Sequence, residues 1–336
     1  MIKWAIFGAG NISNTFVRNI RQVENSKIVA VASKNKEKLK NFCRINNISS
    51  EFCYSNYSEL MNLNFDIAYV GLINSLHEEV INCLAKNNKN ILTEKPAFLN
   101  IKDFNKNLEI IKKNKIFFME SMMYLHHPQF NKILKIINNN EIGKIFKLDY
   151  KLGFDIRRKF FGFKKKINFL SRLTDPKLHG GAINDIGCYP ISFSNKLANI
   201  YEKNSPDKIE SNGKIGLTGV DEYANIKVKY LKNNFISDLT VSINKKQDGV
   251  ATIYGTKGKL IIPNLITPKK NYSLIVNEKE YNFFGNDLYT YIVRDTQNYL
   301  NNNICEPNKE GQNWSEMKLN CEMIDLWKSQ IYKTIK

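Results

Sequence analysis

The stretch that decides the fold is Ile2-Lys3-Trp4-Ala5-Ile6-Phe7-Gly8-Ala9-Gly10-Asn11-Ile12. Its first residues have the apolar character of a buried strand, and Gly8 and Gly10 form a turn before an amphipathic helix. Such a turn lets the backbone approach a pyrophosphate, whose charge meets the exposed N–H groups at the helix start. Ser13 holds the place of the third glycine, which departs from the strict dinucleotide-binding pattern. We expect the nucleotide to contact Gly8, Gly10, Asn11 and Ile12.

The end of the second predicted strand bears on which nucleotide binds. An NAD enzyme normally has Asp or Glu about 20 residues beyond the glycines to bind the ribose 2′-hydroxyl, whereas an NADP enzyme needs a cation there. The chain has Ala32-Ser33-Lys34-Asn35 at this point and no acid before Glu37. Ser33 can donate to a 2′-phosphate and Lys34 can neutralise it, so we expect NADP in preference to NAD. The alternative is that Lys34 is one more surface lysine of a lysine-rich chain.

The rest of the chain predicts two domains, as does its length of 336 residues. The first third alternates apolar strands with amphipathic helices, the pattern of a parallel, doubly wound sheet. Beyond it the apolar period changes to two, which indicates half-buried strands with a solvated face. We therefore expect an α/β Rossmann domain over residues 1–121 and, over 122–336, an α+β domain with an open, mostly antiparallel sheet. The clearest alternation comprises Phe146, Leu148, Tyr150 and Leu152.

Two helices are expected near the carboxyl end of the sequence, Leu288–Asn302 and Trp314–Tyr332. Asn313 stands three residues before Glu316, a capping-box arrangement that predicts where the second helix begins. We expect the apolar face of this helix to pack back against the rest of the chain, on the first domain. Its apolar residues include Met323, Leu326 and Trp327.

Basic residues outnumber acidic ones by 50 to 32, which gives a formal net charge of +18. The lysines are spread along the whole chain among Asn and Ile, and only Lys164–Lys166 forms a dense stretch. No helix-turn-helix, zinc-finger or aromatic RNA-binding signature accompanies the charge. The pattern is typical of a solvated surface, and we expect no nucleic-acid partner.

The cysteines and the apolar runs bear on compartment and metal binding. The six cysteines form no CxxC pair and have no histidine at metal spacing, so we expect neither a metal site nor a disulfide framework. No apolar run approaches the ~20 residues of a membrane-spanning helix. The first residues lead into a strand without the regions of a secretory signal. We therefore expect a cytoplasmic protein with no membrane partner.

Two predicted strands of the first domain end in polar residues. One is followed by Gly71-Leu72-Ile73-Asn74-Ser75-Leu76-His77 and the next by Thr93-Glu94-Lys95-Pro96. Ligands of open α/β sheets bind at these carboxyl ends. A residue before proline is held extended, which fixes the direction of Lys95 and suits a catalytic cation. As an isolated tripeptide, Glu94-Lys95-Pro96 is more often a plain loop.

A third candidate segment is His179–Pro190, in the second domain. Asp185 stands four residues before Tyr189, so the two share a face if the segment is helical. Its glycines allow close approach of another backbone or of a cofactor. Pro190 limits how regular the helix can be. The alternative is a helix start with an N-terminal Asp and a packed Tyr.

Taken together, these motifs closely resemble the Gfo/Idh/MocA oxidoreductase family. The tyrosine at position 189 resembles the branch of glucose-fructose oxidoreductase, D-xylose dehydrogenase and dimeric dihydrodiol dehydrogenase, since other branches place histidine there. The resemblance spans nearly the whole chain. It rests on Gly8-Ala9-Gly10, Asn74–His77, Glu94-Lys95-Pro96, Met119–Tyr124, His127-Pro128, Gly180–Pro190, Gly255–Gly258 and Trp314–Trp327.

The resemblance implies hydride transfer between a nicotinamide cofactor and a sugar or diol. Lys95 and Tyr189 are then catalytic, and Asp185 orients the substrate or Lys95. It further implies self-association, as a homodimer or homotetramer, through the sheet of the second domain. The remaining site residues follow from it as well: Asn74 and His77 beside the nicotinamide ribose, Glu94 and Lys95 at the cofactor, Arg172 at the entrance, and His179 in the substrate pocket or capping the loop.

The chemistry agrees with these roles. Oxidising a carbinol requires removal of the hydroxyl proton as hydride leaves, so a positioned acid/base is needed. The ordinary pKa of tyrosine, about 10, is too high for it to act as a base at neutral pH, where the phenol is protonated. An adjacent ammonium favours the phenolate, and Lys95 can supply that charge or bind the substrate oxygen directly.

Two other functions fit the same fold. One is a sugar-nucleotide oxidoreductase for surface polysaccharide biosynthesis, in which the basic loop Arg157–Lys166 meets a diphosphate. The other is a non-catalytic, cofactor-binding regulator. A sensor has no chemical need for Lys95, Asp185 and Tyr189 together, so their presence argues for an enzyme.

Overall fold

A computed structural model describes residues 1–160, 164–166, 171–200, 205–308 and 311–333, which form two compact units. The first unit comprises Met1–His127 and Asn286–Met317. The second comprises Pro128–Gly285 and Lys318–Lys336. No helix in the described ranges is long and apolar enough to cross a membrane.

The helices and strands follow in chain order. The strands are β1 (Ile2–Phe7), β2 (Ser26–Ala32), β3 (Cys53–Tyr54), β4 (Ile67–Val70), β5 (Asn90–Thr93), β6 (Phe118–Glu120), β7 (Ile145–Gly153), β8 (Arg158–Phe160), β9 (Lys164–Lys166), β10 (Lys208–Ile215), β11 (Asp221–Tyr230), β12 (Phe235–Ser242), β13 (Ala251–Gly255), β14 (Gly258–Ile262), β15 (Asn271–Val276) and β16 (Lys279–Phe284). The helices are α1 (Asn11–Ile20), α2 (Lys36–Ile45), α3 (Tyr57–Met61), α4 (His77–Lys86), α5 (Ile101–Lys113), α6 (Pro128–Asn138), α7 (Cys188–Asn199), α8 (Leu288–Asn301) and α9 (Trp314–Lys333).

The first unit contains a parallel six-stranded sheet in the order β3-β2-β1-β4-β5-β6. All of β4 and the last four residues of β1 are buried, as expected for parallel strands covered by helices on both faces. Phe16 of α1 stacks on Tyr69 of β4 with ring centroids 3.6 Å apart. The predicted doubly wound sheet is confirmed. Its order reverses between β1 and β4, the point where such sheets bind ligands.

The second unit contains an eight-stranded sheet in the order β10-β11-β12-β7-β13-β14-β15-β16. Only the β12–β7 pair is parallel, so the predicted open, mostly antiparallel sheet is confirmed. Strands β8 and β9 form a separate hairpin within the basic loop Arg157–Lys166, of which 161–163 lie outside the described residues.

One position of the predicted alternation in β7 is wrong. Leu148 and Tyr150 are buried as expected, but Phe146 is 44% exposed and Ile145 is buried instead. The pairing of β13 with β7 shifts register between Tyr254 and Gly255, and such an irregularity moves the chain beyond it to the other face.

The capping box of the last helix is present. Asn313 Oδ1 accepts the Glu316 N–H at 2.9 Å, and Glu316 Oε2 accepts the Asn313 N–H at 3.1 Å. Trp327 is fully buried, and its indole N–H donates to the Asn225 carbonyl of the second unit at 3.2 Å. Leu326 was placed on the buried face and is exposed, because Met323 and Trp327, four residues apart, define that face.

The cysteines differ from expectation at one pair. Cys43 of α2 and Cys53 of β3 are joined as a disulfide. Helix α2 packs on β3, which brings the two sulfurs together across ten residues of chain, and no spacing rule in the sequence signals that contact. Of the others, Cys188 and Cys321 are buried free thiols, as expected for small apolar residues.

Candidate active site

The glycine turn after β1 depends on glycine at Gly8 and leaves space at Gly10. Gly8 has φ +107°, and a Cβ there would lie 2.5 Å from the Gly71 carbonyl oxygen, so only glycine fits. Gly10 is the N-cap of α1, and no atom of the described chain lies within 4 Å of where its Cβ would stand. No side chain caps the start of α1, and there is open space beside Gly10, as a helix start that binds a phosphate requires.

Ser13, the departure from the glycine pattern, is fully buried. Its hydroxyl donates to the Gly71 carbonyl at 3.4 Å, and a Cβ on Gly71 would collide with the serine oxygen. The third glycine of the pattern serves close packing of helix on strand. Here the residue without a side chain is Gly71, after β4, and Ser13 of α1 packs closely against it. The serine therefore keeps the close contact between helix and strand that the third glycine normally allows.

At the end of β2, Ser33 is buried and Lys34 is exposed. The Ser33 N–H donates to the Tyr54 carbonyl at 3.1 Å. The Lys34 ammonium lies 3.9 Å from the Glu79 carboxylate and 5.5 Å from the centre of the Tyr57 ring. Glu79 belongs to α4, so a carboxylate near this lysine comes from an element that sequence spacing from the glycines does not reveal.

At the end of β4, Asn74 opens a short 3₁₀ turn and His77 begins α4. His77 is buried, with Nδ1 2.8 Å from the Pro96 carbonyl oxygen and Nε2 3.1 Å from that of Leu72. Burial lowers the pKa of His77 below its ordinary value. The ring thus ties two loops at the carboxyl edge of the sheet. Its predicted contact with a ribose stays a prediction.

The segment Glu94–Ala97 after β5 is called the lysine loop below. Glu94 is buried, and its Oε1 accepts hydrogen bonds from the phenols of Tyr69 at 2.8 Å and Tyr289 at 2.9 Å. Burial raises the pKa of the Glu94 carboxyl, against the bond from Tyr69 and the charge of Lys95, which lower it. Lys95 itself is half-buried, between neighbours that are buried.

A second carboxylate holds the lysine loop from β6. Glu120 is buried, and its Oε1 accepts the Ala97 N–H at 2.7 Å. Burial raises the pKa of Glu120 to about 7, although the Ala97 bond and the Lys95 charge act to lower it. The sequence contains one signal of this site, an acid at the end of an apolar strand. It contains none for Tyr289, which is 195 residues from Glu94.

In the second unit, Asp185 and Tyr189 lie one turn apart on one helical run, and both are buried. The run starts with a π-helical turn, Ile183–Gly187, before α7. Pro190 has no N–H to donate to the preceding turn, and this accounts for the wider, π-helical geometry of that turn. The helix predicted here is present, irregular where Pro190 leads one to expect it. Residues Gly180–Tyr189 are called the tyrosine segment below.

Two further predicted residues flank the tyrosine segment. Arg172 donates to Asp185 Oδ1 at 3.1 Å, with the guanidinium half exposed and the carboxylate buried. His179 is exposed and has φ +54° and ψ +46°, the left-handed conformation. The family resemblance places a glycine at this position, and glycine adopts such angles without strain.

Asp221 of β11, a residue that the sequence did not single out, holds the start of the tyrosine segment. Its Oδ2 accepts the Ile183 N–H at 2.7 Å, and the Tyr332 hydroxyl lies 3.1 Å from Oδ1. Gly181 has φ +107°, and a Cβ there would collide with this carboxylate. Burial raises the pKa of Asp221 to about 6, and hydrogen bonds from Ile183 and Tyr332 act to lower it.

The predicted residues therefore fall into two groups. In the first unit, the open glycine turn, Ser33 with Lys34, and the lysine loop all follow carboxyl ends of strands of the same parallel sheet. In the second, Arg172, Asp185 and Tyr189 belong to one hydrogen-bonded stretch of chain. No group of three or more His, Cys, Asp or Glu side chains able to hold a metal occurs among the residues that the structure describes.

Comparison with known proteins identifies the family to which this chain belongs. A model of an oxidoreductase family with an NAD-binding Rossmann fold matches residues 2–121, and the GFO/IDH/MocA C-terminal domain matches residues 130–261. The chain belongs to the Gfo/Idh/MocA oxidoreductase family. The expectation drawn from the motifs is confirmed, and the protein is an NAD(P)-dependent oxidoreductase.

Relatives within the Gfo/Idh/MocA family include dihydrodiol dehydrogenases. A trans-1,2-dihydrobenzene-1,2-diol dehydrogenase of Xenopus laevis is 31% identical over 285 residues, which cover 84% of this chain and 80% of the relative. The Mus musculus protein of the same name is 26% identical over 317 residues, 91% of this chain and 90% of the relative.

Solved structures share the fold over nearly the whole chain. A 3-ketoreductase from Actinomadura kijaniata, in complex with NADP and TDP-benzene, superposes with a TM-score of 0.82 at 19% identity, covering 98% of this chain and 97% of that one. An aldose-aldose oxidoreductase from Caulobacter crescentus, complexed with glycerol, gives a TM-score of 0.83 at 15% identity, covering 99% and 98%. At these identities the likeness shows the fold of the Gfo/Idh/MocA family.

Proposed function

We propose that this enzyme transfers a hydride between NADP and a hydroxyl or carbonyl group of a sugar or diol, with Lys95 and Tyr189 as the catalytic residues. The observation that carries the proposal is the lysine loop. It presents a cation from a rigid, buried frame at the same carboxyl edge of the sheet as the open glycine turn. Ligands and reactive groups of doubly wound sheets meet at that edge.

The reaction divides into a hydride transfer and a proton transfer. NADP, when bound, accepts or supplies the hydride at the nicotinamide ring. Tyr189 takes the hydroxyl proton during oxidation and returns it during reduction. The Lys95 ammonium stabilises negative charge on the phenolate or on the substrate oxygen. Asp185, paired with Arg172, orients the substrate.

Ser33 and Lys34 support NADP over NAD. Ser33 can donate to a 2′-phosphate, and the ion pair of the exposed Lys34 ammonium with Glu79 is a long, solvated contact that a phosphate would replace. The A. kijaniata 3-ketoreductase was solved with NADP, which agrees with this choice. We propose that Gly8, Gly10, Asn11 and Ile12 contact the phosphates, and Asn74, His77 and Glu94 contribute to the nicotinamide end.

A sugar or diol is favoured over a sugar nucleotide by the state of Arg157. Its guanidinium donates twice to Asp155, at 2.9 Å each, so this cation of the basic loop is already neutralised. The relatives named as dihydrodiol dehydrogenases point the same way. The sugar-nucleotide alternative remains an arm of the test.

Self-association is part of the proposal. The open face of the second sheet carries the exposed Phe146 beside Tyr254, and cross-strand ion pairs such as Lys227 with Asp238. Such a face suits a second copy of the chain, giving a homodimer or homotetramer. Light scattering coupled to gel filtration measures the mass, and a monomer would contradict this part.

A substrate panel tests the function. The purified protein is assayed for formation or consumption of NADPH with vicinal diols, aldoses and sugar nucleotides. We expect turnover with a diol or aldose, and turnover about a thousandfold slower in a Lys95→Ala variant that still binds NADPH. NADPH binding without turnover on any substrate would favour the regulator over the enzyme. Turnover only with sugar nucleotides would replace the substrate class.

A further inference from the structure

The lysine loop is held at three of its residues by groups from four other elements. Glu94 accepts from Tyr69 of β4 and Tyr289 of α8, the Pro96 carbonyl meets the ring of His77 of α4, and the Ala97 N–H donates to Glu120 of β6. The first two contacts engage neutral side chains. The third engages a carboxylate that also interacts with the Lys95 charge.

We infer that Glu120 is a positioning residue for Lys95: its carboxylate fixes the loop through the Ala97 N–H and serves as the counter-charge of the Lys95 ammonium. The inference rests on the proposed function, in which Lys95 is catalytic. It adds a residue on a neighbouring strand to the reaction.

The chemistry of the contact argues against a purely structural role. A main-chain N–H is satisfied equally well by a neutral acceptor such as an amide oxygen. A buried carboxylate, by contrast, carries a desolvation cost that the fold must offset. Burial raises the pKa of Glu120 to about 7 despite the bond from Ala97, so that cost is not fully offset. The Lys95 charge, which acts to lower the pKa of Glu120, accounts for a carboxylate being kept in such a place.

Glu94 also interacts with the Lys95 charge, but its other contacts differ from those of Glu120. Its Oε1 already accepts two phenol hydrogen bonds. Glu94 is held through its side chain by phenols of β4 and α8, whereas Glu120 stands on β6 and holds the main chain of the loop at Ala97. The titratable groups around Glu120 in the described chain are Lys95 and Glu94, with His77 and Tyr289 one contact further away.

The first experiment measures Lys95 directly and needs no substrate. The full chain is labelled with trace acetic anhydride at pH 8.5, with and without NADP, and each lysine is quantified by mass spectrometry. In Glu120→Gln, which keeps an acceptor for the Ala97 N–H, we expect Lys95 to react about tenfold faster, because its ammonium has lost the opposite charge. The exposed Lys102 and Lys113 serve as internal standards, and Glu109→Gln on α5 removes a surface charge as the matched control.

The second experiment measures turnover with a substrate from the panel. In Glu120→Gln we expect kcat to fall about 10- to 100-fold with the KM for NADP unchanged, because the lysine is misplaced and not the cofactor. The wild type should lose activity as pH falls through about 7, where Glu120 becomes protonated, and the variant should be low throughout that range. Glu120→Asp, which keeps the charge on a shorter side chain, should recover part of the rate.

The outcomes separate this inference from the proposed function. If the wild type turns over no substrate, the function fails, while the labelling still decides the role of Glu120. If Glu120→Gln labels Lys95 at the wild-type rate, or shows the wild-type kcat and pH profile, Glu120 is overturned as a positioning residue and the function stands. Melting temperatures of all variants show that each is folded.

Discussion

The lysine loop of the first unit and the tyrosine segment of the second are each secured by a buried carboxylate that accepts main-chain N–H groups. Their surroundings differ. Asp221 has the Ile183 N–H and a phenol as partners, and its role is satisfied by neutral donors. Glu120 has one N–H and the charge of Lys95. A buried carboxylate thus holds the main chain in both units, and only Glu120 in addition interacts with a cation.

The largest expected effects come from the reactive groups themselves. Lys95→Ala and Tyr189→Phe should each lower kcat by about a thousandfold, the range of a lost acid/base. Fluorescence titration should show NADPH affinity retained in both, since neither side chain is proposed to hold the phosphates. An undiminished rate in Tyr189→Phe would remove the acid/base assignment and leave the tyrosine segment without a chemical role.

The next largest effect is on stability, which should depend on pH over different ranges for Asp221 and Glu120. A carboxyl whose pKa is raised by folding contributes stability that is complete below its unfolded pKa and is lost as pH rises through the folded value. This window runs from 3.8 to about 6 for Asp221 and from 4.5 to about 7 for Glu120. Each group should remove about 3 kcal/mol of stability across its window.

Urea unfolding of Asp221→Asn and Glu120→Gln between pH 4 and 8 measures this difference. The free energy of unfolding should change less with pH in each variant than in the wild type, over the window of the missing carboxyl. Near-wild-type kcat at pH 8 is expected only for Asp221→Asn. A wild-type pH dependence in both variants would show that neither carboxyl titrates as its burial implies.

A smaller effect is confined to the first unit. Lys34→Ala should weaken NADPH binding about tenfold, roughly 1.4 kcal/mol, and leave NADH binding unchanged. Glu79→Gln, which removes the carboxylate 3.9 Å from Lys34, is the matched control and should strengthen NADPH binding slightly. Equal losses for both nucleotides in Lys34→Ala would mean that this lysine does not meet a 2′-phosphate.

The smallest effect lies next to the tyrosine segment. His179 adopts left-handed angles, so His179→Gly should stabilise the chain by about 0.5 to 1 kcal/mol, as relief of strain exceeds the entropy lost by glycine. His179→Ala keeps the strain and should give no gain. A rise in KM for the substrate in both variants would place the imidazole in the substrate pocket, and an unchanged KM would leave it as a loop cap.

The sequence was most informative where the signal is local. Alternating strands and helices, the positive-φ glycine at position 8 and the capping box at Asn313 each depend on neighbours a few residues away, and the structure has all three. The sequence did not reveal how Ser13 fits in the glycine pattern, because its packing partner, Gly71, is 58 residues away in the chain.

The groups that the sequence did not reveal act over long separations. Glu79 beside Lys34, Tyr289 on Glu94 and Asp221 on Ile183 become neighbours only when the sheets have formed. Two other features were missed because they depend on tertiary structure. The exposure of Phe146 follows from a register shift between β13 and β7. The disulfide follows from the packing of α2 on β3.

Helix α8 carries a consequence for how the protein is made. Tyr289 donates to Glu94, and Thr290 donates to Asn19 at 2.8 Å, so the first unit is completed by residues from the last fifth of the chain. A ribosome delivers the amino-terminal portion first. Glu94 in the nascent first unit therefore lacks one of its phenol donors until Pro128–Gly285 of the second unit and the start of α8 have been translated. The contacts of the first unit are thus completed only after α8 has been synthesised.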